Sequence, residues 1–225
     1  MRQAAAKNTF PKMIMQIHAN SEIAEIYRSL RFNLECSAFD QNIRMITITS
    51  SNRGEGKTTT AVNLAAAVAQ SGKKTVLIDA NLRSPAVHLA FGMDNAGGLS
   101  EYLESRLAIN DIIKDPFVIN LSLITSGTVP ATPSELLLSD RLHSLFAQLK
   151  QNYDVILIDT PPILNLTDAK LIAAASEGVL LVVEHGKLRQ AAANKIKEDF
   201  ALMKANLLGI VVNKINRRDV REYLP

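Results

Sequence analysis

Tryptophan is absent from these 225 residues, and cysteine occurs once, at position 36. One thiol excludes an internal disulfide framework and fits a reducing compartment. His18, His88, His143 and His185 stand apart, with no cysteine at metal-binding spacing, so no zinc site is expected. No apolar run approaches the roughly 20 residues of a membrane-spanning helix. The first residues hold no long apolar stretch either, so a secretory signal is not expected. Aromatic residues are 5% of the chain and the basic residues form no long recognition helix, which argues against sequence-specific nucleic-acid binding. The net charge of +3 is mild. Lys214, Arg217, Arg218 and Arg221 gather near the end with Asp219 and Glu222 among them, as in a solvated helix face or a surface for an acidic partner. What remains is a globular chain, 47% apolar, long enough for one domain with a sizeable core.

The strongest positive signal is Ser51-Asn-Arg-Gly54-Glu55-Gly56-Lys57-Thr58-Thr59, directly after the apolar run Met45–Thr49. It fits a phosphate-binding loop (P-loop) in which Ser51 replaces the usual first glycine. Gly54 and Gly56 allow the backbone to turn its N–H groups inward, where a Cβ would collide with phosphate. Lys57 is placed to reach the β- and γ-phosphates of a nucleotide, and Thr58 to offer its hydroxyl to Mg²⁺. A helix starting here adds its positive dipole end. The loop is not Gly-x-Gly-x-x-Gly, which sets aside a dinucleotide-binding dehydrogenase.

Beyond this loop the chain alternates. Strands are expected at Met45–Thr49, Thr75–Ile78, Leu121–Thr125, Val155–Ile158, Val179–Val183 and Ile210–Val212. Helical patterns fill Lys57–Gln70, Glu135–Lys150, Asp168–Ala175 and Arg189–Lys204. The fold class is therefore α/β, with a mostly parallel central sheet and helices on both faces, as in P-loop NTPases. A further helix is expected from Ser21, its cap, burying Ile23, Ile26, Leu30 and Leu34. Residues 1–20 read as an arm or irregular lead-in.

Two strands end in acids, Thr75-Val-Leu-Ile-Asp79 and Val155-Ile-Leu-Ile-Asp159. Ligands of such sheets sit at the carboxyl ends of the strands, where the P-loop also lies. Asp159 resembles a Walker B acid that holds Mg²⁺ through its water shell. Asp79 is placed to orient or deprotonate an attacking hydroxyl, and to share the metal.

These stretches together resemble the cytoplasmic catalytic domain of bacterial tyrosine kinases, in the stand-alone form that serves capsule and exopolysaccharide synthesis. They are relatives of the MinD/ParA ATPases. The resemblance runs from about Ser21 to Asn213. It rests on Gly54–Thr58, Leu77-Ile-Asp79-Ala-Asn81-Leu-Arg83, Ile158-Asp159-Thr-Pro-Pro162, the Pro130–Leu137 loop, and Glu25-x-x-Arg28-x-x-Arg31. It implies ATP and Mg²⁺ as cofactors, and Lys57, Asp79, Asn81, Arg83 and Asp159 as the catalytic set. It implies a homo-oligomeric ring docked through Glu25, Arg28 and Arg31, and an adenine contact from Asn213. As a bare strand-end asparagine, Asn213 reads equally well as a turn residue. It further implies protein tyrosine substrates, and a transmembrane adaptor of the polysaccharide co-polymerase type that holds the chain at the cytoplasmic face of the membrane. On this reading residues 1–20 are an arm, 21–215 the kinase domain and 216–225 a tail.

Three departures bear on activity. MinD and ParA proteins carry an extra P-loop lysine that reaches across a dimer, and Asn52 stands in its place here. The family's Asp-x-Asp-x-Arg reads Asp79-Ala-Asn81-Leu-Arg83, and an uncharged amide weakens metal binding and proton handling. The family's terminal tyrosine cluster is reduced to Tyr223, the sole tail candidate for a phosphoacceptor. The alternatives are a nucleotide-driven assembly switch and a MinD/ParA-like ATPase.

Overall fold

The computed structural model describes residues 13–39 and 42–216. The chain opens with α1 (Ile14–Ile17) and α2 (Glu22–Ser37), then enters the sheet through β1 (Met45–Ser50), α3 (Lys57–Gln70) and β2 (Thr75–Asp79). Three short helices follow, α4 (Val87–Phe91), α5 (Leu99–Leu103) and α6 (Ile109–Ile112), then β3 (Ile113–Lys114) and β4 (Leu121–Ile124). The remainder is α7 (Pro133–Leu137), α8 (Asp140–Asn152), β5 (Val155–Asp159), α9 (Thr167–Ala175), β6 (Gly178–Glu184), α10 (Gln190–Met203) and β7 (Leu207–Asn213). The strands form one sheet in the order β3-β4-β2-β5-β1-β6-β7. All neighbours are parallel except β3 with β4.

The central strands are buried along their whole length because helices cover both faces. On one face Ile46, Ile48, Leu77 and Leu157 pack against α3 residues such as Ala61, Leu64, Ala65 and Val68. On the other, Val76, Ile78, Ile156 and Ile158 meet Leu142, Leu145, Phe146 and Leu149 of α8. A third cluster joins Val179, Leu181 and Val183 of β6 to Ile196 and Phe200 of α10. β1 lies between β5 and β6, so the loop leaving it opens at mid-sheet.

The structure departs from expectation at three places. The helix expected over Glu135–Lys150 is two helices, because the chain turns at Leu138–Ser139 and Ser139 takes extended backbone as the N-cap of α8. Part of the segment read as an irregular lead-in is the single turn α1. Within it Met15 is fully buried against Ala24, Ala66 and Ala67, and its N–H donates to Asn63 Oδ1 at 3.0 Å.

The buried face of α2 matches expectation over its second half only. Ser21 caps the helix as expected, accepting the Ala24 N–H at 3.2 Å. Leu34 is buried and Leu30 packs against the core as expected, but in the first turns the contact runs through Ala24 and Tyr27, while Ile23 and Ile26 are 50% and 56% exposed. An alanine at the contact lets α2 approach the alanine-rich α3 closely, and the close approach outweighs burial of two isoleucines.

Candidate active site

The P-loop is built from its own side chains. Gly54 and Gly56 have φ of +81° and +97°, values that glycine adopts without strain. Glu55, expected among the nucleotide contacts, turns inward. Its carboxylate accepts the Ser51 hydroxyl at 2.6 Å and the Asn52 N–H at 2.9 Å, closing the loop on itself. Asn213, at the end of β7, donates Nδ2 to the Glu55 carbonyl at 2.8 Å and accepts the Lys214 N–H. A Cβ on Gly56 would lie 2.0 Å from Asn213 Nδ2, so these two residues fit only together. Lys57 begins α3, with Nζ 3.2 Å from Thr58 Oγ1, and Thr59 follows on the first turn.

Asp79 and Asp159 end adjacent strands and are register partners. Both are fully buried. Asp159 Oδ2 accepts the Thr58 hydroxyl at 2.7 Å. Its Oδ1 is sealed from solvent and has no hydrogen-bond partner. Asp79 is more occupied than its expected role as base suggests. Oδ1 accepts the Asn81 N–H at 3.1 Å, and Oδ2 accepts the N–H groups of Ala86 and Val87 at 3.1 and 3.0 Å. The residue therefore organises the 79–87 turn as well as facing the site.

Burial pushes the Asp79 carboxyl up to about 7, and the neighbouring Asp159 charge pushes the same way against the three N–H bonds. Burial also raises Asp159, with the Lys57 charge and the Thr58 hydroxyl pulling it back. Two buried acids held apart from water and exposed to each other's charge form a repulsive pair that a cation would relax.

Among the described residues, no cluster of three or more His, Cys, Asp or Glu could hold a metal ion unaided. Mg²⁺ does not require one. It takes one or two carboxylates, keeps several waters and draws further ligands from phosphate. The unpartnered Asp159 Oδ1, the Thr58 hydroxyl beside it and the Asp79 carboxyl above fit such an ion.

The family model described as an AAA domain matches residues 43–208. The tyrosine-protein kinase YwqD of Bacillus subtilis is 38% identical over 214 residues, covering 93% of this chain and 90% of that protein. The chain belongs to the bacterial tyrosine-kinase family. The crystal structure of the chimerical protein CapA2B2 superposes with a TM-score of 0.87 at 35% identity, over 93% of this chain and 92% of that one. The septum site-determining protein MinD from Pyrococcus horikoshii, complexed with Mg-ADP, matches more distantly. Its TM-score is 0.67 at 26% identity, over 77% of this chain and 71% of that one. The kinase domain of the Escherichia coli tyrosine kinase ETK superposes with a TM-score of 0.88 at 29% identity, over 97% of this chain and 86% of that one, so the mostly parallel P-loop architecture is that of the tyrosine-kinase and MinD folds.

The remaining expected residues fall in different places. Asn81 is buried in the turn after β2, its Nδ2 bound to the Ser84 carbonyl at 2.8 Å. Arg83 does not point at Asp79 or Asp159. It pairs with Asp168. Of the docking trio, Glu25 is the exposed member. Arg28 folds back on Glu25 at 2.7 Å and on the Ala19 carbonyl, and Arg31 lies 3.7 Å from Glu35. Tyr223, Arg217, Arg218 and Arg221 lie outside the described residues. No helix among the described residues is long and apolar enough to cross a membrane.

Sequence reasoning overlooked Glu101. Its carboxylate accepts the N–H groups of Gly98 and Thr128 and the hydroxyls of Ser100 and Thr128, at 2.8–3.1 Å, which pins the loop after β4. Burial alone would raise this carboxyl, but the N–H and O–H donors overcome it and hold it at about 2. Only the acidic half of a capping box is present, Glu101 reaching back to the Gly98 N–H, and a glycine N-cap leaves no side-chain signal in the sequence. Glu101→Gln is expected to cost about 2–3 kcal/mol. A depressed carboxyl stabilises the fold above its unfolded value of about 4.5 and loses that contribution as pH falls toward 2. Melts between pH 2 and 5 should therefore be steep in the unmodified chain and flatter in the variant.

Proposed function

We propose that this chain is an ATP- and Mg²⁺-dependent protein-tyrosine kinase that phosphorylates itself and proteins of capsule or exopolysaccharide synthesis. The observation that carries this reading is the facing pair Asp79 and Asp159, one with an orphaned buried oxygen, at the mouth of a P-loop armed with Lys57 and Thr58. A bound Mg²⁺ would neutralise charge on the β- and γ-phosphates. Thr58 and Asp159 would hold that ion, and Asp79 would adjoin it.

Lys57 stabilises charge that builds on the transferred phosphoryl group. The inward N–H groups of residues 54–58 orient the phosphates. Asp79 keeps one lone pair of Oδ1 free and is basic enough, near pH 7, to accept the tyrosine hydroxyl proton. Asn213 is the residue assigned to the adenine ring. Tyr223 is the tail acceptor.

The same reading places the chain at the cytoplasmic face of the membrane, bound to a transmembrane adaptor and assembled as a ring. Exposed Glu25, beside exposed Ile23 and Ile26, supports α2 as the face that meets the next subunit.

Asn81 supports a second reading, in which nucleotide binding switches assembly with little phosphoryl transfer. Its amide is held by Ser84 and brings no charge to the site. Labelled ATP with Mg²⁺ and the adaptor's activating tail separates the two. The expected result is label on tyrosine, increased about tenfold by Asn81→Asp, which adds a metal-seeking carboxylate. Absence of phosphotyrosine in both forms, with particle mass dependent on ATP, would replace the kinase by the switch.

A further inference from the structure

Loops leaving the carboxyl ends of β2, β4 and β5 meet on one buried carboxylate. Asp168, in the first turn of α9, is 1% exposed. Its Oδ2 accepts Arg83 Nε at 2.7 Å, and its Oδ1 accepts Arg83 Nη2 at 3.2 Å and the Ser134 hydroxyl at 2.5 Å. Arg83 Nη2 also donates to Ser134 Oγ at 3.2 Å, so the three side chains close a ring.

Each partner lies just beyond a strand end that faces the phosphate site. Arg83 follows Asp79 and Asn81 in the same turn, Ser134 stands in α7 after β4, and Asp168 opens the helix after Asp159. The turn is fastened on its other side too, because Arg53 of the P-loop donates to Ser84 Oγ at 3.3 Å. Asn81 precedes both attachments and is tied to them through Nδ2, which donates to the Ser84 carbonyl at 2.8 Å.

A two-point guanidinium–carboxylate pair fixes distance and plane, which a single lysine contact does not. Only the carboxylate is buried and the Arg83 side chain is 41% exposed, so the pair adds little net stability. Its value here is geometric: it sets how far the Asn81 turn stands from the Asp159 loop. Neither Asp168 nor Ser134 faces the two acids as a ligand, so the effect is indirect.

We propose that Asp168 is a positioning residue which, through Arg83 and Ser134, holds the Asn81 turn against the Asp159 loop at the spacing a metal-bound phosphate requires. This rests on the nucleotide half of the function proposed above and is independent of whether tyrosine is the acceptor.

The test is titration with fluorescent ADP, in excess MgCl₂ and in EDTA, on the full chain and on Asp168→Asn, Arg83→Lys and Arg83→Lys/Asp168→Asn. With Mg²⁺, each single variant should lose about tenfold in affinity, the usual effect of removing a group that orients a metal site. The double variant should lose no more than the worse single. In EDTA the loss should stay below about twofold, because the P-loop alone then binds the phosphates. Ser134→Ala keeps the ion pair and should lose about threefold, again only with Mg²⁺. It carries the test if Asp168→Asn fails to fold. Equal losses with and without Mg²⁺, or none in either, would overturn the proposal. A full chain that binds no nucleotide would overturn the proposed function with it, whereas one that binds nucleotide but labels no tyrosine removes only the kinase.

Discussion

Lys57→Met is expected to weaken nucleotide binding about 100-fold while leaving the fold intact. A charge-assisted hydrogen bond is worth about 1.5–3 kcal/mol, and 2.7 kcal/mol is about a factor of 100. Lys57 is the cation at the start of α3, with Nζ beside Thr58. The side chain is half-buried and belongs to none of the apolar clusters that hold the sheet to its helices. Methionine keeps the length of the stem and the helix propensity. The measurement is fluorescent ADP titration beside a thermal melt. A variant with an unchanged melting temperature and unchanged affinity would remove Lys57 from the site.

The second large effect is a gain of stability from a loss of function. Asp159→Asn should stabilise the nucleotide-free chain at pH 8 by about 1–3 kcal/mol, because a buried, half-satisfied charge beside a like charge is removed. For a chain of this size that is roughly 5 °C in Tm. The amide oxygen can still accept the Thr58 hydroxyl, as Asp159 Oδ2 does. Mg²⁺-dependent phosphoryl transfer should fall at least about 100-fold, as it does when a preorganised charge is deleted from a site of this kind.

The pH dependence of stability follows the same pair. Both carboxyls are raised in the folded chain, Asp79 to about 7, above their ordinary value of 3.8. A raised group contributes stability that is fully present below the unfolded value and is lost as pH rises through the folded one. In EDTA, Tm should therefore decline from pH 5 to pH 8. Asp159→Asn should flatten that decline, since Asp79 no longer feels a second charge. Excess Mg²⁺ and nucleotide should raise stability at pH 8 more in the unmodified chain than in the variant, which keeps only the P-loop's hold on the phosphates. An identical pH slope in both proteins would show that the two acids do not sense one another.

Much of this arrangement was legible because it is local. Continuous apolar runs ending in an acid gave away β2 and β5, and the helix over Lys57–Gln70 has the bounds its pattern predicts. Residues 80–120 were opaque for the opposite reason. Their helices are one turn or little more, and long-range bonds hold them, such as Lys114 Nζ to the carbonyls of Asp94 and Ala96. No short helix of this kind announces itself by period.

On α2 the sequence pattern locates Leu30 and Leu34 but not the first turns, where apolar size favours Ile23 and Ile26 and closeness of approach favours Ala24. Ala24 packs where Ile23 and Ile26 do not. Asp168 was invisible because an acid in the first turn of a helix is ordinary, and only the fold brings Arg83 and Ser134 to it. The sequence shows the charge of Asp79 but not its three N–H bonds, which depend on the turn that it organises.

The small side chains of α3 have a mechanical consequence. Ala61, Ala65, Ala66, Ala67 and Ala69 are all buried, wedged between the sheet on one side and α1 and α2 on the other. Such a rod has no slack, because an added methylene has nowhere to go in a close-packed interior. Growth of any of these residues would shift the whole shaft, and the shaft begins at Lys57. Lesions a dozen residues from the phosphates would thus be felt at the phosphates first.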